Sequence, residues 1–231
     1  LLEEDEEDSR VHLDLGVALG RQGRSAPARR HLLRALELAP SDPLILSHLT
    51  RTGQTRSDTS RAARVLRRAL REEPHRDELY RNLSALLAGE GRFEEAEAQL
   101  RQAMAFSGRS HELQNDLGVL LAIQGKFDEA RQAFDRGLAE RPDDVPLAVN
   151  RALIEADLGR RDAALERLTA IAAEHPENLD ALGNLASVLL EVGRAEESLV
   201  VARRMSRRAP FDPRGYYLTG RALYDLGHYE E

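Results

Sequence analysis

Apolar, small and turn-forming residues recur along this chain at an interval of 34 residues. One column reads Leu15, Leu49, Leu83, Leu117, Arg151 and Leu185. A second reads Ala28, Ala62, Ala96, Ala130, Ala164 and Ser198, and a third reads Leu32, Leu66, Leu100, Phe134, Leu168 and Ala202. A fourth places proline at 40, 74, 142, 176 and 210, with Gly108 as its exception. No insertion or deletion interrupts the series. It defines six units, 9–42, 43–76, 77–110, 111–144, 145–178 and 179–212, and an incomplete seventh at 213–231. Residues 1–8 form an acidic tail ahead of them.

The spacing inside a unit predicts two helices. Apolar residues at unit positions 4, 7 and 11 share one stripe of a first helix. Glycine at position 15 ends that helix, because it accepts the left-handed conformation that follows a helix terminus. Alanine at 20 and 27 around a larger residue at 24 marks the inner face of a second helix. Proline at 32 cannot continue it. No segment alternates with the period of two that a half-buried strand requires. A single hairpin of this kind cannot cover its own apolar face, so neighbouring units must stack to make a core.

These columns resemble the tetratricopeptide-repeat family over residues 9–231. The resemblance implies an all-α fold, a right-handed superhelical solenoid of antiparallel helix pairs. First helices would line a concave groove and second helices the outside. It also implies function through protein binding, with no cofactor.

Composition narrows the chemistry. Charged residues make up 32% of the chain and the mean hydropathy is -0.49, with no apolar run long enough to span a membrane. Of the net charge of -7, six charges come from Glu3, Glu4, Asp5, Glu6, Glu7 and Asp8. The rest of the chain is close to neutral and offers no overall basic field for nucleic acid. Cysteine is absent, which removes disulfides and thiolate metal sites; a cytoplasmic location is the first expectation and a periplasmic one stays open. Lys126 is the one lysine among 33 basic residues, a bias that reads as codon usage of a GC-rich bacterial genome. The chain opens on Leu1 without a methionine or a signal-peptide pattern, which points to processing or to a longer parent. No zinc-protease, phosphate-loop, nucleophile-elbow or dinucleotide motif occurs. No catalytic, cofactor or metal residue is therefore assigned, and the chain is not expected to be an enzyme.

The binding candidates follow from the resemblance, which places unit positions 2, 5, 6, 9, 12 and 13 on the groove. Position 6 carries Asn82, Asn150 and Asn184, and Asn115 lies one residue earlier in its unit. A carboxamide has two donors and an acceptor, enough to hold both groups of a peptide unit. The row is similar to the asparagine ladder of peptide-binding members of the family, although here it is interrupted. Arg10, Arg21, Arg51 and Arg81 lie on the groove in the N-terminal half, with Arg51 and Arg81 as charge readers. Asp157, Asp180, Glu191 and Asp225 lie there in the C-terminal half, around Arg221. A bound peptide would carry its charges in the complementary order. The lysine–asparagine clamp of chaperone-binding members is missing.

Several places break the pattern. In the second unit Thr50, Gly53 and Ser57 replace the usual residues, which reads as a hinge or as a drifted repeat supported by its neighbours. In the fifth, Arg151 and Glu155 stand four apart where leucines otherwise pack, a spacing at which they can pair. Arg61, Arg64, Arg67, Arg68 and Arg71 form a basic stripe on the second helix of the second unit. Tyr216, Tyr217 and Tyr224 crowd the C-terminal edge, a candidate docking or self-association surface, and the seventh unit lacks a second helix, which points to a longer natural chain. The expected function is a scaffold or adaptor that binds an extended peptide or partner protein in its groove. The alternatives are the repeat arm of a longer glycosyltransferase- or sulfotransferase-type enzyme, or a structural subunit of a bacterial secretion, pilus or motility assembly.

Overall fold

The computed structural model describes residues 8–53, 55–107 and 110–228. Residues 1–7 of the acidic tail lie outside the described residues. Among the described residues are thirteen α-helices and no strand. They are α1 (Ser9–Arg21), α2 (Ser25–Leu38), α3 (Pro43–Arg51), α4 (Arg56–Glu72), α5 (Asp77–Gly89), α6 (Phe93–Ser107) and α7 (His111–Ile123). Then follow α8 (Phe127–Glu140), α9 (Val145–Asp157), α10 (Arg161–Glu174), α11 (Leu179–Glu191), α12 (Ala195–Arg208) and α13 (Pro213–Asp225). First helices start at residues 9, 43, 77, 111, 145, 179 and 213, one every 34 residues. The chain divides into two compact units, residues 1–120 and 121–231.

Within the first unit the repeat columns become the core. Ala28, Ala62 and Ala96 are fully buried, as are Leu32 and Leu66, with Leu100 nearly so. The small residues let neighbouring helices approach, and each leucine fills the space between them, for about 1.5–3 kcal/mol of burial apiece. The approach is closest at Gly16 on α1, where a Cβ would lie 2.6 Å from Leu32 Cγ. The second unit repeats the scheme with Ala130, Ala164 and Ser198 and with Phe134 and Leu168. Ser198 is the polar member of its column, and its hydroxyl donates to the Ala186 carbonyl at 2.8 Å.

Several helix starts, most of them on first helices, are capped by side-chain acceptors. Asp42 and Asp212 accept from Leu44 N and Arg214 N at 2.9 Å. Asp144 and Asn178 accept from Leu147 N and Ala181 N, also at 2.9 Å. Each satisfies one of the backbone N–H groups that a helix start leaves without an intrahelical partner.

The second unit of the repeat departs from its siblings in a way the columns do not predict. Gly53 has φ +71, the conformation that the position-15 glycines adopt elsewhere. The hairpin turn therefore comes one helical turn early. α3 has 9 residues where α1 has 13, and α4 has 17 where α2 has 14. Gly53 is thus the turn residue rather than a gap inside a helix. Thr55 caps α4 in a reciprocal box: its N–H donates to Asp58 Oδ2 at 2.9 Å, and Asp58 N donates back to Thr55 Oγ1 at 3.3 Å. Arg29 of α2 ties this turn to the preceding hairpin through Asp58 at 2.9 Å and the carbonyls of Thr52 and Gly53, each at 3.5 Å. Burial raises the Asp58 pKa, but the bonds from Thr55 and the charge of Arg29 outweigh it and hold the carboxyl below its ordinary value.

Candidate binding surface

α3 buries Ile45, Leu46 and Leu49 and leaves a second stripe outward. That stripe is Leu44, Ser47, His48 and Arg51, at the i, i+3, i+4, i+7 spacing of one helix face. Leu44 is 58% exposed, and Arg51 is exposed. Its guanidinium has no hydrogen bond or ion pair among the described residues. His48 is half-buried, and its pKa is lowered by that burial and then by the charges of Arg51 and Arg21, against a smaller opposing effect of Asp42. Arg21, His48 and Arg51 therefore share one electropositive patch within the first unit.

The next first helix is different. Asn82 on α5 is only 6% exposed, and its Nδ2 donates to the Pro40 carbonyl at 3.1 Å. The expectation that Asn82 grips a peptide is corrected: its amide satisfies a loop carbonyl that precedes the neighbouring unit of the repeat. Arg81 beside it donates from Nε to Asp116 Oδ2 of α7 at 2.5 Å. Burial lowers the Arg81 pKa, while the bond and charge of Asp116, with Glu112 and Glu78 behind, outweigh it and raise the value. Arg81, expected as a charge reader, is thus engaged by Asp116 in this structure. Asn115 is half-buried and has interactions of its own.

In the second unit, Asn150 on α9 and Asn184 on α11 are both half-buried. Asn150 has interactions within the protein. Beneath it, Arg151 and Glu155 do pair, and the pair is buried. Arg151 Nε also donates to Asp135 Oδ1 of α8 at 2.5 Å, and Arg160 Nη1 to Glu155 Oε2 at 3.1 Å. Asp180, one of the expected groove acids, binds Arg214 at 2.6 Å. Arg81 and Asp180 thus each form an ion pair inside their own compact unit.

α13 carries an outward stripe with the same spacing as α3: Tyr217, Gly220, Arg221 and Tyr224, opposite buried Leu218, Ala222 and Leu223. Tyr217 and Tyr224 are 66% and 67% exposed. Tyr216 has a different setting. Its hydroxyl donates to the Pro210 carbonyl at 3.1 Å, as Tyr80 does to Pro74 at 3.0 Å four units of the repeat earlier. Tyr80 is almost wholly covered, with the ring of Phe106 stacked at 6.2 Å. Tyr216 is 55% exposed.

Among the described residues no group of three or more His, Asp and Glu side chains is placed to hold a metal ion, and no helix is long and apolar enough to cross a membrane.

Comparison with known proteins gives the class. A tetratricopeptide repeat family model matches residues 55–114, 87–153 and 155–222, and a second model of that description matches 9–34. The chain belongs to the tetratricopeptide repeat family. No curated protein matches it significantly. Among solved structures it is similar to a tetratricopeptide repeat protein from Parabacteroides merdae ATCC 43184, at 16% identity and a TM-score of 0.65 over 95% of this chain and 87% of that one. It is also similar to PilW, a type IV pilus biogenesis factor, at 20% identity and a TM-score of 0.60 over 91% and 97% of the two chains. A third likeness is to YrrB, described as a tetratricopeptide repeat protein with an unusual peptide-binding site, at 16% identity and 0.50 over 94% of each. At these identities the likeness is one of fold.

Proposed function

We propose that this chain is a protein-interaction scaffold that holds an extended peptide segment against the outward stripes of its first helices. The observation that carries the reading is the pairing of Leu44 with Arg51 on α3, both exposed and seven residues apart on one line. Seven residues of helix rise about 10 Å, the length of about three residues of extended chain. The stripe thus suits a peptide with an apolar residue and an acidic residue about three positions apart. The carboxylate would meet the guanidinium fork of Arg51, next to Arg21 and His48. Membership of the repeat family supports the scaffold role. The peptide site named for YrrB belongs to that protein, and the reading here rests on α3.

A second contact is favoured by α13, where exposed Tyr217 and Tyr224 flank Arg221. Tyrosine and arginine carry much of the binding energy of protein interfaces. Asn150 and Asn184 are the amides in that unit suited to hold a peptide backbone. The Tyr217–Tyr224 stripe is also the surface through which a second copy would dock.

Panning a random-peptide library on the protein tests the reading. Enrichment of peptides with an apolar and an acidic residue three apart is expected, together with its loss on Leu44→Ser/Arg51→Ser. Enrichment of the same peptides on that variant would remove α3 as the site.

A further inference from the structure

The basic stripe of α4 divides when its neighbours are in place. Arg67 faces α6 closely enough for its charge to act on Glu95. Arg61, Arg64 and Arg68 turn the other way, toward α2, and with Arg34 they line a cleft of about 530 Å³ between the two second helices. Glu37 stands at the middle of one wall. It accepts from Arg61 Nε and Nη2 at 3.0 and 2.6 Å and from Arg34 Nη1 at 3.4 Å. This shared carboxylate holds two guanidiniums toward the cleft while leaving most of their N–H groups available. Arg64 is exposed and has no acidic partner among the described residues. Arg68 reaches Glu72 at 3.3 Å, an exposed pair one helical turn long that a competing carboxylate can open. The lining thus sets four guanidiniums against the carboxylates of Glu37 and Glu72. Pro40, Val65 and Ala69 complete it as an apolar strip.

We propose that this cleft is a second docking site, which takes an acidic polypeptide segment with an apolar side chain set between its carboxylates. It lies on second helices and is independent of the α3 stripe. Two features select a polypeptide over a nucleic acid. Glu37 and Glu72 sit inside the site, where a uniformly charged phosphate backbone would meet both. The apolar strip has no use for a phosphate but accepts a leucine or valine side chain. The protein as a whole is acidic, at -7, so attraction depends on this local field rather than on net charge.

The test uses the whole protein and a fluorescein-labelled peptide of repeated Leu-Glu-Glu units, with a Leu-Gln-Gln peptide as its uncharged control, read by fluorescence anisotropy. The Leu-Glu-Glu peptide binds, and the control does not. Arg64→Glu/Arg68→Glu, two exposed positions outside the core, weakens binding at least about tenfold, with the thermal midpoint unchanged. Arg207→Glu/Arg208→Glu on α12 makes the same change in net charge and leaves binding as it was. Equal loss in both variants would show a response to net charge alone and overturn the site. So would unchanged binding in the α4 variant. An oligonucleotide that displaces the peptide at equal concentration of charge would overturn the assignment to an acidic polypeptide. Loss of binding on Leu44→Ser/Arg51→Ser would place the peptide on α3 and likewise overturn it.

Discussion

Arg151 and Glu155, one turn apart on α9, form a buried ion pair at two positions of the repeat where leucine packs in other units. The pair is held from both ends, by Asp135 on Arg151 and by Arg160 on Glu155. Burial alone would raise the Glu155 pKa, yet the bonds and charges of the two arginines outweigh it and lower the value.

A buried pair of this kind is expensive to break and seldom better than apolar packing. Glu155→Leu should destabilise the protein, by less than the about 3–5 kcal/mol of a fully orphaned buried charge, because Arg151 loses one carboxylate and keeps Asp135. Arg151→Leu/Glu155→Leu should be close to the unmodified protein or more stable. Urea denaturation measures both; a double variant as unstable as the single would show that the network contributes more than its own desolvation.

Gly53 gives a test with opposite signs for two readings. If it lay inside a helix, Gly53→Ala would stabilise the protein by about 1 kcal/mol. At φ +71 with open space around a Cβ, the same change should instead cost about 1–2 kcal/mol of left-handed strain. Chemical denaturation of the one variant decides.

Asn82 supports structure rather than ligand. Asn82→Ala should lower stability by about 1–3 kcal/mol, since the Pro40 carbonyl loses its buried donor. Peptide affinity measured well below the unfolding transition should not change. A weaker affinity with intact stability would return Asn82 to the binding surface.

His12 and His31 join α1 to α2, with their Nδ1 atoms 2.9 Å apart, so one ring donates and the other accepts. Burial, then the charges of His12 and Arg30, lowers the His31 pKa below its ordinary 6.5. Above that value both folded and unfolded chains hold His31 neutral. As the pH falls below it the unfolded chain takes up the proton first, so stability declines until the lower folded pKa is reached. Thermal midpoints measured from pH 7.5 to 5 should fall, and His31→Gln should flatten the slope. An unchanged slope would exclude His31 as its source.

The helix order was legible because the alanine and leucine columns are a direct record of burial. Ala28, Ala62 and Leu32 could not stand where they do without a helix packed on each side. The Arg151–Glu155 pair was legible from its spacing, but Asp135 was not, since a partner sixteen residues upstream becomes a neighbour only when α8 and α9 pack. The early turn at Gly53 departs from the 34-residue interval, which puts the turn residue at Ser57. Its signal was present in Thr55-Arg56-Ser57-Asp58, a capping box directly after a glycine. The setting of Asn82 was not legible, because a position-6 amide looks the same in sequence whether it meets solvent or a carbonyl two units of the repeat earlier. Arg51, expected on the groove as a charge reader, is exposed on α3. Leu44, the other half of the proposed contact, stands at unit position 2, which the resemblance already placed on the groove.

The most direct measurement is titration calorimetry of a panned acidic peptide against the protein, Arg51→Ser and a control, Arg207→Ser, at pH 7.5 and 6. Loss of one charge-assisted hydrogen bond is worth about 1.5–3 kcal/mol, so Arg51→Ser should bind at least about tenfold more weakly and the control should bind as before. A carboxylate bound beside His48 would offset the arginine charges that lower its pKa, so binding should take up protons and tighten at pH 6. Equal affinities for Arg51→Ser and the unmodified protein, with no proton uptake, would contradict the proposal that the α3 stripe is where this scaffold holds its partner.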